Sequence, residues 1–289
     1  MLVHGSNLSQ KEAHPSKYRD AEARQFLQKI RARYDAWHQA NLALLGPVAV
    51  RAEQDLAIVA QRVSLLSEYK DFLDQQKYAE KFDSRSNLHS SVLEEFMFYL
   101  FRDLVTELSE HALLGKSHTF KDLFFKADSY REMLATPRVL VEKKNHDFAI
   151  GVKVRASFQG VGQETKQSDI WDLPAVAIEC KTYLDKTMLQ DASTAAEQLK
   201  HRNPNALYIV VAEWLKLTEA VNLRKFKIDQ IYVLRKQKNT DREYRYLADY
   251  QKNPIYEDVV GHLFQTVRTF LTESWEGGIG HGLQRGFLI

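Results

Sequence analysis

The chain's 289 residues, 44% of them hydrophobic and 27% charged, are enough for one large globular domain or two modest ones. Its net charge of +2 gives no strong indication of a nucleic-acid partner, and its single cysteine, Cys180, excludes an internal disulfide framework. With no signal peptide and no apolar run of about 20 residues, the sequence predicts a soluble protein of a reducing cytoplasm without membrane contact.

Residues 1–115 are predicted to form a helical N-terminal region. Apolar residues recur at spacings of three and four in residues 21–46 and again in residues 51–76. A third helix is predicted to start near Ser90 or Ser91, because Ser91 followed by Glu94 resembles a capping box ahead of an apolar stretch.

Residues 116–289 are predicted to form an α/β core in which helices pack on a mixed sheet. A short helical piece over residues 120–135 leads into segments rich in β-branched and aromatic residues. A long loop is expected over residues 160–174, and the glycine-containing tail after residue 275 is expected to be flexible. The alternation of strands and helices implies the mixed sheet. Strands are predicted over residues 138–144, 147–158, 175–183, 206–214 and 228–236, and helices over residues 187–203 and 256–275.

The stretch VAIECKTYLDK, residues 176–186, ends an apolar run with an acid and a lysine two positions apart. Residues two apart on a strand share a face, so Glu179 and Lys181 are predicted to point the same way. The pair alone is equally typical of a salt bridge at a sheet edge. The pattern acid-any-lysine occurs four times in the chain, starting at Glu68, Glu142, Glu164 and Glu179.

A second acid, Asp147, enters the preceding predicted strand and favours Glu179 over the other occurrences. Two carboxylates on adjacent strands form a hard-oxygen site suited to Mg²⁺. A lysine beside them could contact a phosphate oxygen or orient a water, as phosphodiester cleavage requires. Glu142 follows an apolar run too, but no upstream strand offers it a partner acid.

Other polar residues near this pair have simpler explanations. Cys180 alternates to the face opposite Glu179 and is expected to be a small buried residue rather than a nucleophile. One cysteine and scattered histidines give no zinc-ligand spacing around His146. Basic clusters at residues 142–146, 222–227 and 234–246 allow a phosphate-facing surface, although solvated basic loops explain each one equally.

The order of these residues resembles a known family. Asp147, then Glu179-Cys180-Lys181, then a helix and an apolar strand, is similar to the PD-(D/E)xK nuclease superfamily. More narrowly, VEKKNHDFAIG and AIECKTYLDKTMLQDASTAAEQLK, within residues 137–211, resemble subunits of the BbvCI-type heterodimeric restriction endonucleases. The chain departs from the superfamily pattern in having Asn145-His146 where a proline usually precedes the aspartate.

The resemblance implies a restriction-endonuclease-like α/β fold and a role for each matching residue. Asp147 and Glu179 would coordinate Mg²⁺ together with the backbone carbonyl of Cys180. Lys181 would be the active-site lysine.

Residues outside the central motif are also expected to contribute. An acid on a preceding helix often completes such sites, and Glu94 or Glu95 matches by order. Lys143, Lys144 and His146, which belong to the basic cluster before the sheet acid, are expected to contact DNA.

The resemblance implies a Mg²⁺-dependent, sequence-specific endonuclease of the prokaryotic cytoplasm that cleaves double-stranded DNA. A related second subunit would cut the other strand, so that inactivating one subunit would leave a nickase, and the chain alone could form a homodimer. The helical region of residues 1–115 would serve DNA recognition, subunit contacts or both. Two alternatives stay open at this point. One is a repair or junction-resolving nuclease, and the other is a non-catalytic DNA-binding or assembly subunit.

Overall fold

Helices occupy the N-terminal part of the chain, which confirms the predicted helical N-terminal region. The structure, a computed structural model, describes residues 2–82, 87–136, 138–238, 249–275 and 278–286. The first helix lies in a segment for which no element was predicted. The helices ahead of the first strand are α1 (Val3–Glu12), α2 (Ala21–Ala43), α3 (Asp55–Leu73), α4 (Gln76–Lys81) and α5 (Asn87–Leu108).

Helix α5 already includes Asn87, so the predicted start near Ser91 is wrong. Ser91 is buried inside the helix, where its hydroxyl donates to the backbone carbonyl of Asn87. The same hydroxyl lies 3.0 Å from Nδ1 of His4 in α1. The serine therefore bonds within its helix and to a neighbouring helix instead of capping a helix end.

A mixed sheet follows the helical region and confirms the predicted α/β fold. Within the described residues the sheet has five strands in the order β1-β2-β3-β4-β5. β2 pairs antiparallel with β1 and β3, whereas β4 pairs parallel with β3 and β5. The strands are β1 (Leu113–Lys126), β2 (Arg138–Gln159), β3 (Lys166–Leu184), β4 (Leu207–Leu215) and β5 (Gln230–Val233), and the remaining helices are α6 (Tyr130–Ala135), α7 (Lys186–Arg202), α8 (Glu257–Thr272) and α9 (Gly278–Arg285).

Two predicted segments near the sheet are wrong because strand pairing overrides their local pattern. Residues 120–126, predicted as helix, belong to β1 and pair with β2, so that only residues 130–135 are helical. Residues 166–174, predicted as loop, begin β3 and pair with the end of β2. Interstrand hydrogen bonds, which local composition does not report, decide both segments.

The tail prediction is also wrong where the structure describes it. Helix α9 forms despite the glycines on which the prediction of a flexible tail rested. The two strands predicted over residues 138–144 and 147–158 are one continuous strand, β2. The basic cluster at residues 234–246 lies partly outside the described residues, which end at 238 and resume at 249.

The sheet is covered on both faces, and alternate residues of each strand separate the two layers. Ile178 and Cys180 join a cluster of buried residues with α2, α3, α5 and α8. Ala177 and Tyr208 point the other way and pack with the apolar face of α7. One buried cluster thus includes residues from both the N-terminal helices and the sheet. None of the described helices is long and apolar enough to cross a membrane.

Candidate active site

A β-bulge in β2 sets the position of Asp147. Two residues of β2, Asp147 and Phe148, lie opposite a single residue of β1, Lys116. Phe148 is buried in the core, whereas Asp147 lines a cleft. One oxygen of Asp147, Oδ2, accepts a hydrogen bond of 3.0 Å from the backbone N–H of Cys180 in β3. Bulges of this kind redirect side chains and are frequent next to active sites.

The ammonium group of Lys181 joins the two predicted catalytic acids. Its Nζ lies 2.7 Å from Oε1 of Glu179 and 3.3 Å from Oδ2 of Asp147. Burial lowers the pKa of Lys181, but the charges of Asp147 and Glu179 outweigh that effect and hold the pKa above its usual range. Lys181 is on a central strand and bridges acids from two strands, unlike a salt bridge at a sheet edge.

Glu179 is held by a second neighbour besides Lys181. The hydroxyl of Tyr208, on β4, lies 3.5 Å from Oε2 of Glu179. Burial and the negative charge of Asp147 raise the pKa of Glu179 above its usual range. An acid whose ionisation is disfavoured by burial and by a neighbouring acid is typical of a site that takes up positive charge. The sequence did not identify Tyr208, because its position depends on the pairing of β3 with β4.

The structure separates the two candidate acids of α5. Glu94 lines a cavity of about 390 Å³ together with Asp147 and Lys181. Burial and the charge of Asp147 raise the pKa of Glu94 to about 7. Glu95 instead points into the helical region, where it is 1% exposed and accepts hydrogen bonds from Tyr34 and other groups. Of the two, Glu94 is the one beside the sheet acids.

A second cavity, of about 480 Å³, lies on the other side of Lys181. Glu179, Lys144 and Gln198 contribute to its walls, and Lys181 contributes to both cavities. The cluster of acids is therefore open to solvent through two adjoining spaces rather than enclosed.

The three residues expected to contact DNA lie in different environments. Lys143 is engaged by the carboxylate of Asp169 at 2.7 Å and by a backbone carbonyl. His146 is 2% exposed and packs against the ring of Tyr208, with burial and Lys144 lowering its pKa to about 4. Lys144 is exposed and faces the larger cavity.

No group of three or more His, Cys, Asp or Glu side chains is preformed as a metal site in the part of the chain that the structure describes. The oxygen donors that meet here are the carboxylates of Asp147 on β2 and Glu179 on β3. Cys180, the residue after Glu179, links the two strands through its backbone N–H, which donates to Asp147. Both carboxylates now contact one ammonium group, that of Lys181. Hard oxygen donors around a single positive charge fit a divalent cation such as Mg²⁺.

Comparison with known proteins agrees with this geometry. The model of the family described as Bpu10I restriction endonuclease matches residues 85–288, which include both sheet acids, Lys181 and Glu94. Among solved structures, the chain is similar to one described as "native BbvCI A2B2 tetramer at low resolution". The TM-score is 0.69 at 20% identity, over 95% of this chain and 97% of that chain. No curated protein matches the chain.

The structural similarity confirms the predicted restriction-endonuclease-like fold, and the predicted resemblance to the BbvCI type is confirmed. The family match extends over more than half of the 289 residues and includes every element of the sheet. The chain therefore belongs to the Bpu10I restriction endonuclease family and is a type II restriction endonuclease.

Proposed function

We propose that this chain is one subunit of a sequence-specific restriction endonuclease and hydrolyses one strand of its target at a PD-(D/E)xK site. The observation that carries the proposal is the contact of Lys181 with both Asp147 and Glu179, at the mouth of two open cavities. Acids and a lysine in this arrangement can bind a metal, position a phosphate and orient a water.

The residues that would hold Mg²⁺ are Asp147, Glu179 and the backbone carbonyl of Cys180. Glu94 is the further acid, because it lies across the smaller cavity and its pKa is raised to about 7 by burial and by Asp147. The bound metal would supply a more acidic water and positive charge at the phosphate. Tyr208 keeps Glu179 in place from the far side.

Lys181 would act as a cation and not as a base. Its pKa lies above the usual range because the charges of Asp147 and Glu179 outweigh the effect of burial, so it stays protonated at neutral pH. If a metal were held by its two carboxylate partners, the ammonium group of Lys181 would be available to a non-bridging phosphate oxygen. That contact stabilises the charge that develops on the phosphate as the bond breaks.

The direct test is incubation of the purified chain with a mapped supercoiled plasmid and Mg²⁺, alone and with the related second subunit. We expect metal-dependent cleavage at one fixed sequence. Cleavage without sequence preference, or at branched DNA alone, would instead support a repair or junction-resolving nuclease. No cleavage in any divalent metal with either preparation would exclude the proposed chemistry for this site.

Replacing Mg²⁺ with Ca²⁺ tests the metal's role. Ca²⁺ accepts carboxylate oxygens in a looser geometry and is a poorer Lewis acid for water. We therefore expect Ca²⁺ to support specific DNA binding without cleavage, measured by gel shift and cleavage assay on the same samples. Rapid cleavage in Ca²⁺ alone would contradict the proposed site.

We also propose that a related second subunit cuts the opposite strand. The chain has one such cluster among its described residues, and one cluster hydrolyses one phosphodiester. The similar BbvCI structure is described as an A2B2 tetramer, which supports a partner of related fold. With that partner, Glu179→Ala should leave an enzyme that nicks one defined strand.

Sequencing each strand of the nicked product separately would test the pairing of subunits. We expect nicks only in the strand that the intact second subunit cuts. Efficient double-strand cleavage at a palindrome by this chain alone would contradict the heterodimer and indicate a homodimer, since the symmetry of a dimer matches the symmetry of its site.

A further inference from the structure

The lysines of β1, β2 and β3 fall into two groups. Two of those without an ion pair, Lys116 and Lys144, lie beside the acid cluster, and both are exposed. Neither has a carboxylate within ion-pair distance among the described residues. Four other lysines of these strands are paired: Lys121 with Glu142, Lys143 with Asp169, Lys153 with Asp172, and Lys181 with Asp147 and Glu179.

Lys116 lies opposite Asp147 at the β-bulge and lines the smaller cavity. Its charge lowers the pKa of Glu94, against the raising effects of burial and of Asp147. Lys116 lowers the pKa of Glu94 more than Lys181 does. Lys116 therefore acts on this cavity while remaining free of a carboxylate partner in the described part of the chain.

Lys144 has the corresponding place in the larger cavity. It lies on β2, three residues before Asp147, and lines the cavity with Glu179. Burial and Asp147 raise the pKa of Glu179, and Lys144 is among the charges that lower it. Lys181 lines both cavities, so each of the two unpaired lysines shares a cavity with it.

Three acids meet at this surface, and their charge would repel a DNA strand on approach. Lys181 is already shared between two of the acids, so it offsets only part of that charge. A phosphate on either side of the cut would meet the same field of carboxylates unless another cation faced it. Exposed lysines without a protein partner fit that requirement, because an ammonium group binds phosphate as a point charge.

We propose that Lys116 and Lys144 bind the backbone phosphates on the two sides of the phosphate that is cut. The cleaved strand would run from one cavity across Lys181 into the other. This inference rests on the proposed function, since it takes the acid cluster as the place of cleavage. The sequence did not indicate Lys116. It predicted a DNA contact for Lys144 but did not assign that contact to a particular phosphate.

The salt dependence of DNA binding tests the inference without knowledge of the recognition sequence. Each phosphate contact changes the slope of log K against log salt by about 0.9 in duplex DNA. We would titrate the Glu179→Ala chain with a fluorescent duplex of random sequence, in EDTA, at several KCl concentrations. Lys116→Gln and Lys144→Gln should each make the slope less steep by about 0.9, and the double variant by about 1.8.

Lys126→Gln is the matched control, because Lys126 is an exposed lysine of the same strand, outside both cavities. It lies ten residues beyond Lys116, or about 30 Å along a strand. Lys116→Arg should restore the slope, since it restores the charge. Circular dichroism and thermal melts would confirm that each variant is folded.

The inference is overturned if Lys116→Gln and Lys144→Gln change the slope no more than Lys126→Gln does. It is equally overturned if the chain shows no measurable binding at low salt. Failure of the proposed function would look different: the wild-type chain would not cut the mapped plasmid with Mg²⁺, whatever the binding slopes were.

Discussion

Glu94 and Glu95 are consecutive residues of α5, yet their side chains enter two regions that differ in the hydrogen-bond donors and charges they offer. Glu95 faces the interior of the helical region, and Glu94 faces the acid cluster of the sheet. Two glutamate side chains on the same helix turn therefore have different neighbours. The neighbours of Glu95 stabilise the fold, whereas the neighbours of Glu94 belong to the candidate active site.

The region around Glu95 satisfies its carboxylate fully. Oε1 accepts hydrogen bonds from the hydroxyls of Tyr34 at 2.9 Å and Tyr99 at 2.6 Å, and Oε2 accepts one from the backbone N–H of Gly5 at 3.0 Å. A Cβ at Gly5 would lie 2.2 Å from the Tyr34 hydroxyl oxygen, so α1 packs as closely as its backbone permits. These hydrogen bonds to one buried side chain link α1 to α2 and α5.

The region around Glu94 leaves its carboxylate without such partners. The structure shows no hydrogen bond to this group within the described residues, and the nearest charges include two further acids, Asp147 and Glu179. Burial and Asp147 raise its pKa to about 7. A carboxyl group that burial and a neighbouring acid hold near its protonation midpoint at neutral pH is characteristic of functional sites.

Removal of a sheet acid should have the largest effect. Asp147→Asn or Glu179→Ala should lower the cleavage rate by about 10³-fold or more, because transition-state charge loses its metal-based stabilisation. Folding and DNA binding should be largely unchanged. Single-turnover cleavage with Mg²⁺, beside a gel shift on the same variants, measures both properties. Near-normal cleavage by either variant would remove that residue from the site.

Glu94→Gln should lower activity less, by about 10- to 100-fold, because the remaining acids still hold the metal. The variant should need more Mg²⁺ for half-maximal cleavage, and a Mg²⁺ titration of the cleavage rate measures this. Glu95→Gln is the matched control, with the same chemical change one residue away. Equal losses of specific activity in the two folded variants would contradict the assignment of Glu94.

Glu95→Gln should instead reduce stability, by about 2 kcal/mol in the free energy of unfolding. The amide cannot accept all three hydrogen bonds that the carboxylate accepts from Tyr34, Tyr99 and Gly5. Urea unfolding followed by circular dichroism measures the change, with Glu94→Gln as the comparison. A stability equal to that of the wild-type chain would show that the hydrogen bonds of Glu95 are dispensable.

The smallest effect concerns pH. The pKa of Glu94 is about 7 in the folded chain, against 4.5 without the fold, with Asp147, Lys116, Lys181 and Glu179 facing it. Between these values the folded chain binds more protons than the unfolded chain, so its stability falls as pH rises through this range. Glu94→Gln removes this titration. Between pH 5 and pH 8 the free energy of unfolding of the variant should therefore rise by about 1 kcal/mol relative to that of the wild-type chain, a figure that allows for the partial exposure of Glu94.

Urea unfolding in EDTA at pH 5 and pH 8 measures this difference without interference from metal. EDTA matters because a cation bound by the acid cluster would itself stabilise the folded chain. A stability difference between variant and wild type that does not change with pH would show that Glu94 titrates near its ordinary value.

The sequence by itself determined the parts of this protein that depend on local spacing. Glu179 and Lys181 are two residues apart on a strand, so their common face follows from the period of a strand. Helix α8 follows from its amphipathic pattern, helix α7 from its helical composition and strand β4 from a continuous apolar run, and the structure confirms all three. The order of Asp147, the Glu179–Lys181 pair and the helix after it predicted a nuclease site. The prediction of a restriction endonuclease came from the resemblance of two stretches within residues 137–211 to BbvCI-type subunits.

Only the tertiary structure decided which residues gather around that pair. Helix α5 is buried on nearly all sides, so its apolar pattern could not tell whether Glu94 or Glu95 faces the sheet. Lys116 comes opposite Asp147 through a bulge between paired strands. Strand pairing likewise overrode the local pattern of residues 120–126. Pairing register and helix rotation depend on contacts between distant segments, and no local spacing in the chain encodes them.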